Sequence, residues 1–446
     1  MKDSKEKDLP GADPLGTDKQ MLDKLQRETF DYFLTETDPD TGLIADKTQP
    51  GFPSSIAVTG MGLTAYIIGV ERKFLSRGDA IASVLKILKF FYNSRQGREA
   101  NATGYKGFYY HFLKMNTGER EWKCELSTID TALFIAGALS VAVYFSGDNQ
   151  QEKTIRDLAD KLYRRIDWQW ALNGGTTISH GWKPTSGFLP YRWDENYCEA
   201  ILMYVLALGS PTYPIRPEGY KKWTDTFSLT KVYDFEYLYA GPLFIHQFSQ
   251  MWIDFRDIYD SFNKQAGFDY FENSRRATCV HRRYAIENPL EFKHYGKYCW
   301  GLTASDGPGN KSLKINGIKR KFFNYKARGA PNGPDDGTIS PWAVVASIPF
   351  APEIVIETIR HAIERLNIMA PRSYGFDASF NPEYPAKDAG GRGWVSPWRF
   401  GLNQGPSLIM IENYQSEMIW QIMKQCPYLI NGLQMADFTG GWLNKK

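Results

Sequence analysis

No C-x-x-C pair occurs among the five cysteines (Cys124, Cys198, Cys279, Cys299 and Cys426). Scattered and odd in number, they describe neither a zinc site nor a redox pair, and free buried thiols are expected. No apolar run reaches the roughly 18 residues that a membrane span needs. Charge of one sign is also missing: Lys plus Arg is 53 against 50 Asp plus Glu, a net +3. That balance gives no reason to expect a nucleic acid or an anionic membrane as partner. The glycine-rich stretch Gly301–Gly309 has no G-K-[ST] and no strand before it, so it is not a phosphate loop. The six histidines form no H-E-x-x-H, and no G-x-S-x-G nucleophile elbow is present. No metal or cofactor is expected. A sustained strand period and a fixed-length repeat are both absent.

What the chain has is aromatic side chains: 15 % of its 446 residues, with 13 Trp and 26 Tyr. Flat rings stack on the C–H face of a sugar, and polar neighbours meet its hydroxyls, so the composition suits a carbohydrate site as well as a large core. The stretch from Tyr191 to Pro214 joins the two ideas. It places Asp194, Glu195 and Glu199, with Tyr191, Trp193 and Tyr197, ahead of an apolar run from Ala200 to Leu208. Glu195 and Glu199 are four apart and would share a helix face. A buried helix with an acidic, aromatic first turn must open into a cleft, because its carboxylates need water or a polar ligand.

Residues 1–16 are polar, with Pro10 and Pro14, and read as a disordered lead-in or tether. From Thr17, a plausible N-cap, to residue 446 the pattern fits one domain. Helices are expected over Thr17–Leu34, Ser54–Phe74, Ser76–Asn93, Leu126–Leu139, Gln151–Arg165, the central run, Tyr239–Asp254, Asn263–Glu287, Pro341–Ile348, Pro352–Asn367, Gly405–Asn413 and Gln415–Lys424. Asn316-Gly317 marks a short hairpin between Leu313 and Lys326. Gly60, Gly62 and Ala65 allow close helix packing. Small apolar helices, each after a Gly/aromatic/carboxylate loop, alternate with longer amphipathic ones. Twelve such helices make an all-α chain, an (α/α)6 toroid of six inner and six outer helices with long cleft-lining loops.

Several carboxylates carry two readings. Asp130 lies three after Ser127, the spacing of a helix cap, but Trp122 and Glu125 just upstream favour a cleft. Glu199 could be a buried carboxylate paired with Arg192, or a general acid whose pKa burial raises. Asp306, Asp335 and Asp336 lie in turn-forming loops, and Asp377 in another. Glu412 sits in an apolar helix with no local partner, so a cleft or ion-pair role is needed. Trp182 follows His180-Gly181 in an aromatic loop.

Six segments together are familiar: Glu125–Leu133, Glu199–Pro211, Gly301–Pro308, Asp336–Pro341, Tyr374-Gly375-Phe376, and Gly405-Pro406 with Met410–Tyr414. They resemble the glycoamylase-like family, which includes glycoside hydrolase family 144, the bacterial endo-β-1,2-glucanases, and a domain of cyclic β-1,2-glucan synthases. The resemblance covers nearly the whole chain after about residue 20. It implies an (α/α)6 fold, a periplasmic or cell-envelope location with the leader absent from this sequence, and inverting hydrolysis of β-1,2-linked glucose chains. The charged N-terminus, without an apolar leader stretch, leaves a cytosolic location as the alternative. It implies catalytic carboxylates at Glu199 and Asp130, with Asp377 a weaker match. The segment Arg192–Cys198 departs from the family's wording. Substrate contacts are expected from Trp122, Glu125, Trp182, Tyr191, Arg192, Trp193, Glu195, Asp306 and Glu412. A monomer acting on a poly- or oligosaccharide is expected. A non-catalytic glycan-binding toroid, an α-1,4 exo-hydrolase of glucoamylase type and a polysaccharide lyase are the alternatives.

Overall fold

A computed structural model describes residues 15–366, 374–386 and 393–444. The lead-in expected at residues 1–16 lies outside these, apart from Leu15 and Gly16. The described chain is mostly helical, and most buried apolar residues between Met21 and Phe438 form one main core, with Val232, Tyr237, Ala277 and Val280 in a small second cluster.

Two kinds of helix build it. Ile56–Glu71, Thr128–Tyr144 and Ile201–Gly209 are apolar nearly all round and buried, and Gly401–Ser416 is buried on most sides with Asn403, Gln404, Ser407, Glu412 and Asn413 among its buried residues. Asp18–Thr35, Arg77–Asn93, Gln150–Arg164 and Tyr270–Glu287 bury one stripe and expose a charged face. Thr17 caps its helix with a complete capping box through Gln20. Gly60 and Gly137 are where Ile56–Glu71 crosses Thr128–Tyr144. A Cβ on Gly137 would lie 2.0 Å from the Gly60 carbonyl oxygen, and one on Gly60 would lie 2.4 Å from Phe134 Cα. The two backbones therefore touch, and only glycine fits at the crossing. Thr64 and Ser140 continue the seam with a hydroxyl contact of 3.1 Å.

The expected helix over Tyr239–Asp254 is instead two short 3-10 turns, Leu243–His246 and Ser249–Met251. Asn263–Glu287 is broken at Gly267, which takes the left-handed conformation with φ 78°. The C-terminus holds a helix that was not expected, Pro427–Met435. The end of the expected Pro352–Asn367 helix, at residue 367, lies outside the described residues. The Asn316-Gly317 hairpin forms as expected: Lys311–Ile315 pairs with Ile318–Phe322 across two left-handed residues.

The chain is not purely helical. Five strands of two or three residues, Gly104–Tyr105, Phe108–Tyr110, Leu126–Ser127, Gly181–Lys183 and Gly187–Phe188, form one antiparallel sheet in that order. Strands this short cannot display a period of two, which is why the sequence hid them. Their placement matters. Ser54–Ser55 runs straight into Ile56–Glu71, and Leu126–Ser127 into Thr128–Tyr144. The Gly401 amide at the start of a third buried helix donates to the Asp46 carbonyl at 2.8 Å. The sheet and its loops thus gather at the N-terminal ends of the buried helices, where unpaired N–H groups favour anions.

Candidate active site

Asp130 stands in the first turn of Thr128–Tyr144. Ser127 caps that helix through the Asp130 amide at 3.2 Å, and its hydroxyl donates to the Asp130 carboxylate. The cap expected from the spacing is present. The reciprocal half of a capping box is not: the Asp130 side chain receives the serine hydroxyl and turns toward His111, whose Nδ1 lies 3.7 Å from Oδ2.

His111 is the centre of a charge cluster. Its Nδ1 is 2.9 Å from Glu125 Oε1. Burial alone would pull the imidazole down, but the charges of Asp130, Glu125 and Asp46 outweigh it and lift the pKa to about 9. In return, the His111 hydrogen bond, opposed by partial burial, holds Glu125 down at about 2. Asp46 is buried, and burial pushes it up to about 6 against the pull of His111 and Lys47, with Asp130 adding to the rise. One of its oxygens, Oδ1, is buried without a hydrogen-bond partner.

Glu199 approaches the same cluster from another part of the chain. The helix beyond it starts at Ile201, with Ala200 as N-cap. Residues 191–200 are therefore not helical, and Asn196 takes φ 53°. This corrects the expectation that Glu195 and Glu199 share a helix face: Glu195 is exposed, while Glu199 is partly buried just ahead of the helix. Burial raises its carboxyl to about 7, a backbone donor opposes this, and the charge of Asp130 adds to it. Arg192 does not pair with Glu199. Its guanidinium donates to the carbonyls of Leu172, Thr177 and Asn173, which makes it a loop clamp, and it also lines a neighbouring cleft.

The segment just ahead of Glu199 lines this cleft of about 440 Å³ through Tyr191, Arg192, Trp193, Asp194, Glu195 and Cys198, together with His180. Tyr191 is 68 % exposed, and Trp193 stacks on His180 at 3.9 Å. Trp193 Nε1 donates to Thr128 Oγ1 at 3.1 Å, tying the cleft wall to the helix of Asp130. Trp122, 54 % exposed, rests against Phe52 and Phe112, whose neighbour in sequence is His111. Lys47 lies over the Phe52 and Phe400 rings, and Tyr325 faces Phe400. Asp306 accepts from Ser396 Oγ at 3.0 Å, and its charge is felt by Tyr325.

Three expected site residues have other work. Trp182 is buried in an aromatic cluster with Tyr105 and Trp170. Glu412, 2 % exposed, accepts from Arg72 at 2.7 Å, Gln26 at 2.8 Å and Ser416 at 2.6 Å, so the ion-pair alternative is the one realised. Asp377 forms an ion pair with Arg399 at 2.6 Å. Asp336 pairs with the fully buried Arg328, and Asp335 accepts from Tyr284 and Tyr295. His111 and Asp46 were missed by sequence reasoning. His111 carried a faint signal, a lone polar ring in the aromatic run Phe108–Phe112. Asp46 carried none, since its loop read only as a turn. Among the described residues no group of three His, Cys, Asp or Glu could hold a metal ion, and no helix is long and apolar enough to cross a membrane.

Comparison with known proteins adds to this geometry. Residues 190–427 match the family model Glycoamylase, described as "Putative glucoamylase". A crystal structure titled a "putative glucoamylase" from Bacteroides uniformis is 30 % identical, with a TM-score of 0.84 over 98 % of this chain and 100 % of that one. An endo-β-1,2-glucanase from Chitinophaga pinensis, solved with sophorotriose and glucose, is 26 % identical, with a TM-score of 0.81 over 96 % of this chain and 100 % of that one. An exo β-1,2-glucooligosaccharide sophorohydrolase (non-reducing end) of Parabacteroides distasonis is 28 % identical over 454 residues, 94 % of this chain. The match spans 58 % of that relative's length.

Proposed function

The chain belongs to the glycoamylase family, and from that premise we propose that it is a glycoside hydrolase cleaving β-1,2-linked glucan or sophoro-oligosaccharides with inversion. Glu199 is the general acid and Asp130 the general base. In such a reaction a protonated carboxyl gives its proton to the glycosidic oxygen, while a carboxylate on the other side takes one from the attacking water. The observation that carries the assignment is the raised pKa of Glu199, about 7, which keeps a proton available near neutrality. The neighbours of Asp130 are of the opposite kind, a serine hydroxyl and an imidazole, and suit a carboxylate acting as its anion.

The substrate class is supported by the names of two relatives, which act on β-1,2-glucans, and by the ring-lined walls of the cleft. The proposal includes the finer architecture, six inner apolar helices ringed by six outer amphipathic ones. The alternation of helix types supports it. A monomer in the periplasm or cell envelope completes the reading. The test is incubation with purified glucans of defined linkage, following product length and anomer over time. Reducing ends released from β-1,2-glucan first as the α-anomer are the expected result. Release from α-1,4 glucan alone, or none from any glucan, overturns it.

A further inference from the structure

We propose that His111 acts on Asp130 without touching the substrate, as an imidazolium whose charge favours the anion of the water-activating carboxylate. The inference rests on the reading of Asp130 as the base and adds a group that reading does not require. It stands on geometry. Nδ1 faces two carboxylate oxygens, Glu125 Oε1 at 2.9 Å and Asp130 Oδ2 at 3.7 Å. A lone pair there would face two anions, so Nδ1 carries hydrogen. At 3.7 Å the contact with Asp130 is too long for a hydrogen bond. What the ring offers Asp130 across that gap is charge, once Nε2 is protonated as well, while Glu125 receives the hydrogen bond. The ring has little room to move. It stacks on Phe112 with centroids 4.1 Å apart, and its backbone is held by the Glu125 carbonyl at 3.0 Å and the Ile56 amide at 3.3 Å.

The charged and titratable surroundings favour the cation. Glu125 and Asp130 face the ring from the strand–helix junction and Asp46 from the 37–53 loop. Lys47 acts on Asp46, and Lys183 acts on Glu125 from the neighbouring strand. Tyr325 feels Asp46 and Asp130, and Glu199 feels Asp130. Three carboxylates around one imidazole leave it the nearest cation to Asp130 that the structure records.

Two measurements test this. In His111→Gln the hydrogen bond to Glu125 can survive but the charge cannot. The acid limb of the kcat/KM–pH profile is expected to move up by about one unit, while the alkaline limb, set by Glu199, stays in place. An acid limb that does not move overturns the proposal, whatever the loss of turnover. The second measurement needs no substrate and no stable His111 variant. The histidine side chains of the 15N-labelled wild-type protein are titrated by NMR, taking as His111 the resonance most displaced by Asp130→Asn. It is expected to remain imidazolium at pH 7.5, with a midpoint that falls in Asp130→Asn. A neutral ring at pH 7 overturns the proposal. If the wild type releases nothing from β-1,2-glucan, the assigned activity fails, and the NMR titration still decides the state of His111.

Discussion

Ser249 holds Glu199 by its backbone: the serine hydroxyl donates to the Glu199 carbonyl at 2.9 Å and accepts from the Leu202 amide at 3.1 Å. One side chain from a short 3-10 turn thus fixes the acid and the start of the helix behind it. Ser249→Ala should cost about 1 kcal/mol of stability, the worth of a lost buried hydrogen bond. Turnover should fall more steeply, by up to about a hundredfold, because a misplaced acid misses the glycosidic oxygen. Thermal melts beside single-substrate kinetics check this. Equal, small losses in both would show that Ser249 does not position the acid.

Glu199 titrates at about 7 in the free protein, and an acid works only while protonated. The kcat/KM should therefore fall as pH rises through about 7, and Glu199→Gln should abolish that limb. Its turnover should drop by about 10²–10⁴-fold, with the melting temperature at neutral pH unchanged or raised. The raised pKa also means that the folded state binds this proton more tightly than the unfolded chain. Its contribution to stability is full below the ordinary glutamate range and is lost as pH rises through 7. A melting temperature that collapses in Glu199→Gln would mark a structural carboxylate instead.

Arg72 and Glu412 lie 340 positions apart in the sequence and meet in a two-point ion pair, at 2.7 and 3.1 Å. Arg72→Met leaves a buried carboxylate with only Gln26 and Ser416, and should cost about 3 kcal/mol. Urea unfolding reads the loss. The kcat of the folded fraction should be unaltered, since neither residue touches the Asp130 cluster. A kcat that falls with stability kept would return Glu412 to the expected substrate site.

Trp122 offers an exposed ring beside Phe52 and Phe112. Trp122→Ala should raise KM several-fold for long chains and leave kcat nearly constant, because a stacked sugar away from the reacting bond contributes equally to ground and transition states. A loss confined to kcat would place the ring at the scissile bond.

Much of the scaffold was legible in the chain, and the reasons are local. The nine apolar residues of Ile201–Gly209 can only be a buried helix, and the carboxylate just ahead of them has to meet a cleft. The Thr17 cap and the Asn316-Gly317 turn are single-residue chemistries that act over three or four positions. What was not legible depends on distant partners. Nothing near Glu412 announces Arg72, and nothing near Asp46 announces His111, so the roles of both carboxylates were set only by folding. Arg192 was misread for a related reason. Its sequence proximity to Glu199 suggested a pair, but three loop carbonyls hold its guanidinium.

The glycine crossing at Gly60 and Gly137 has a consequence for anyone wishing to redesign the protein. With main chain resting on main chain, the two rods cannot slide or roll against each other without collision. His111, braced on the start of one, and Asp130, carried by the start of the other, therefore travel as a single rigid body. A broader or narrower groove cannot come from repacking those rods. It has to be made by exchanging the more exposed segments around residues 114–123 and 184–191, which can be lengthened or trimmed while the reacting group behind them stays where it is.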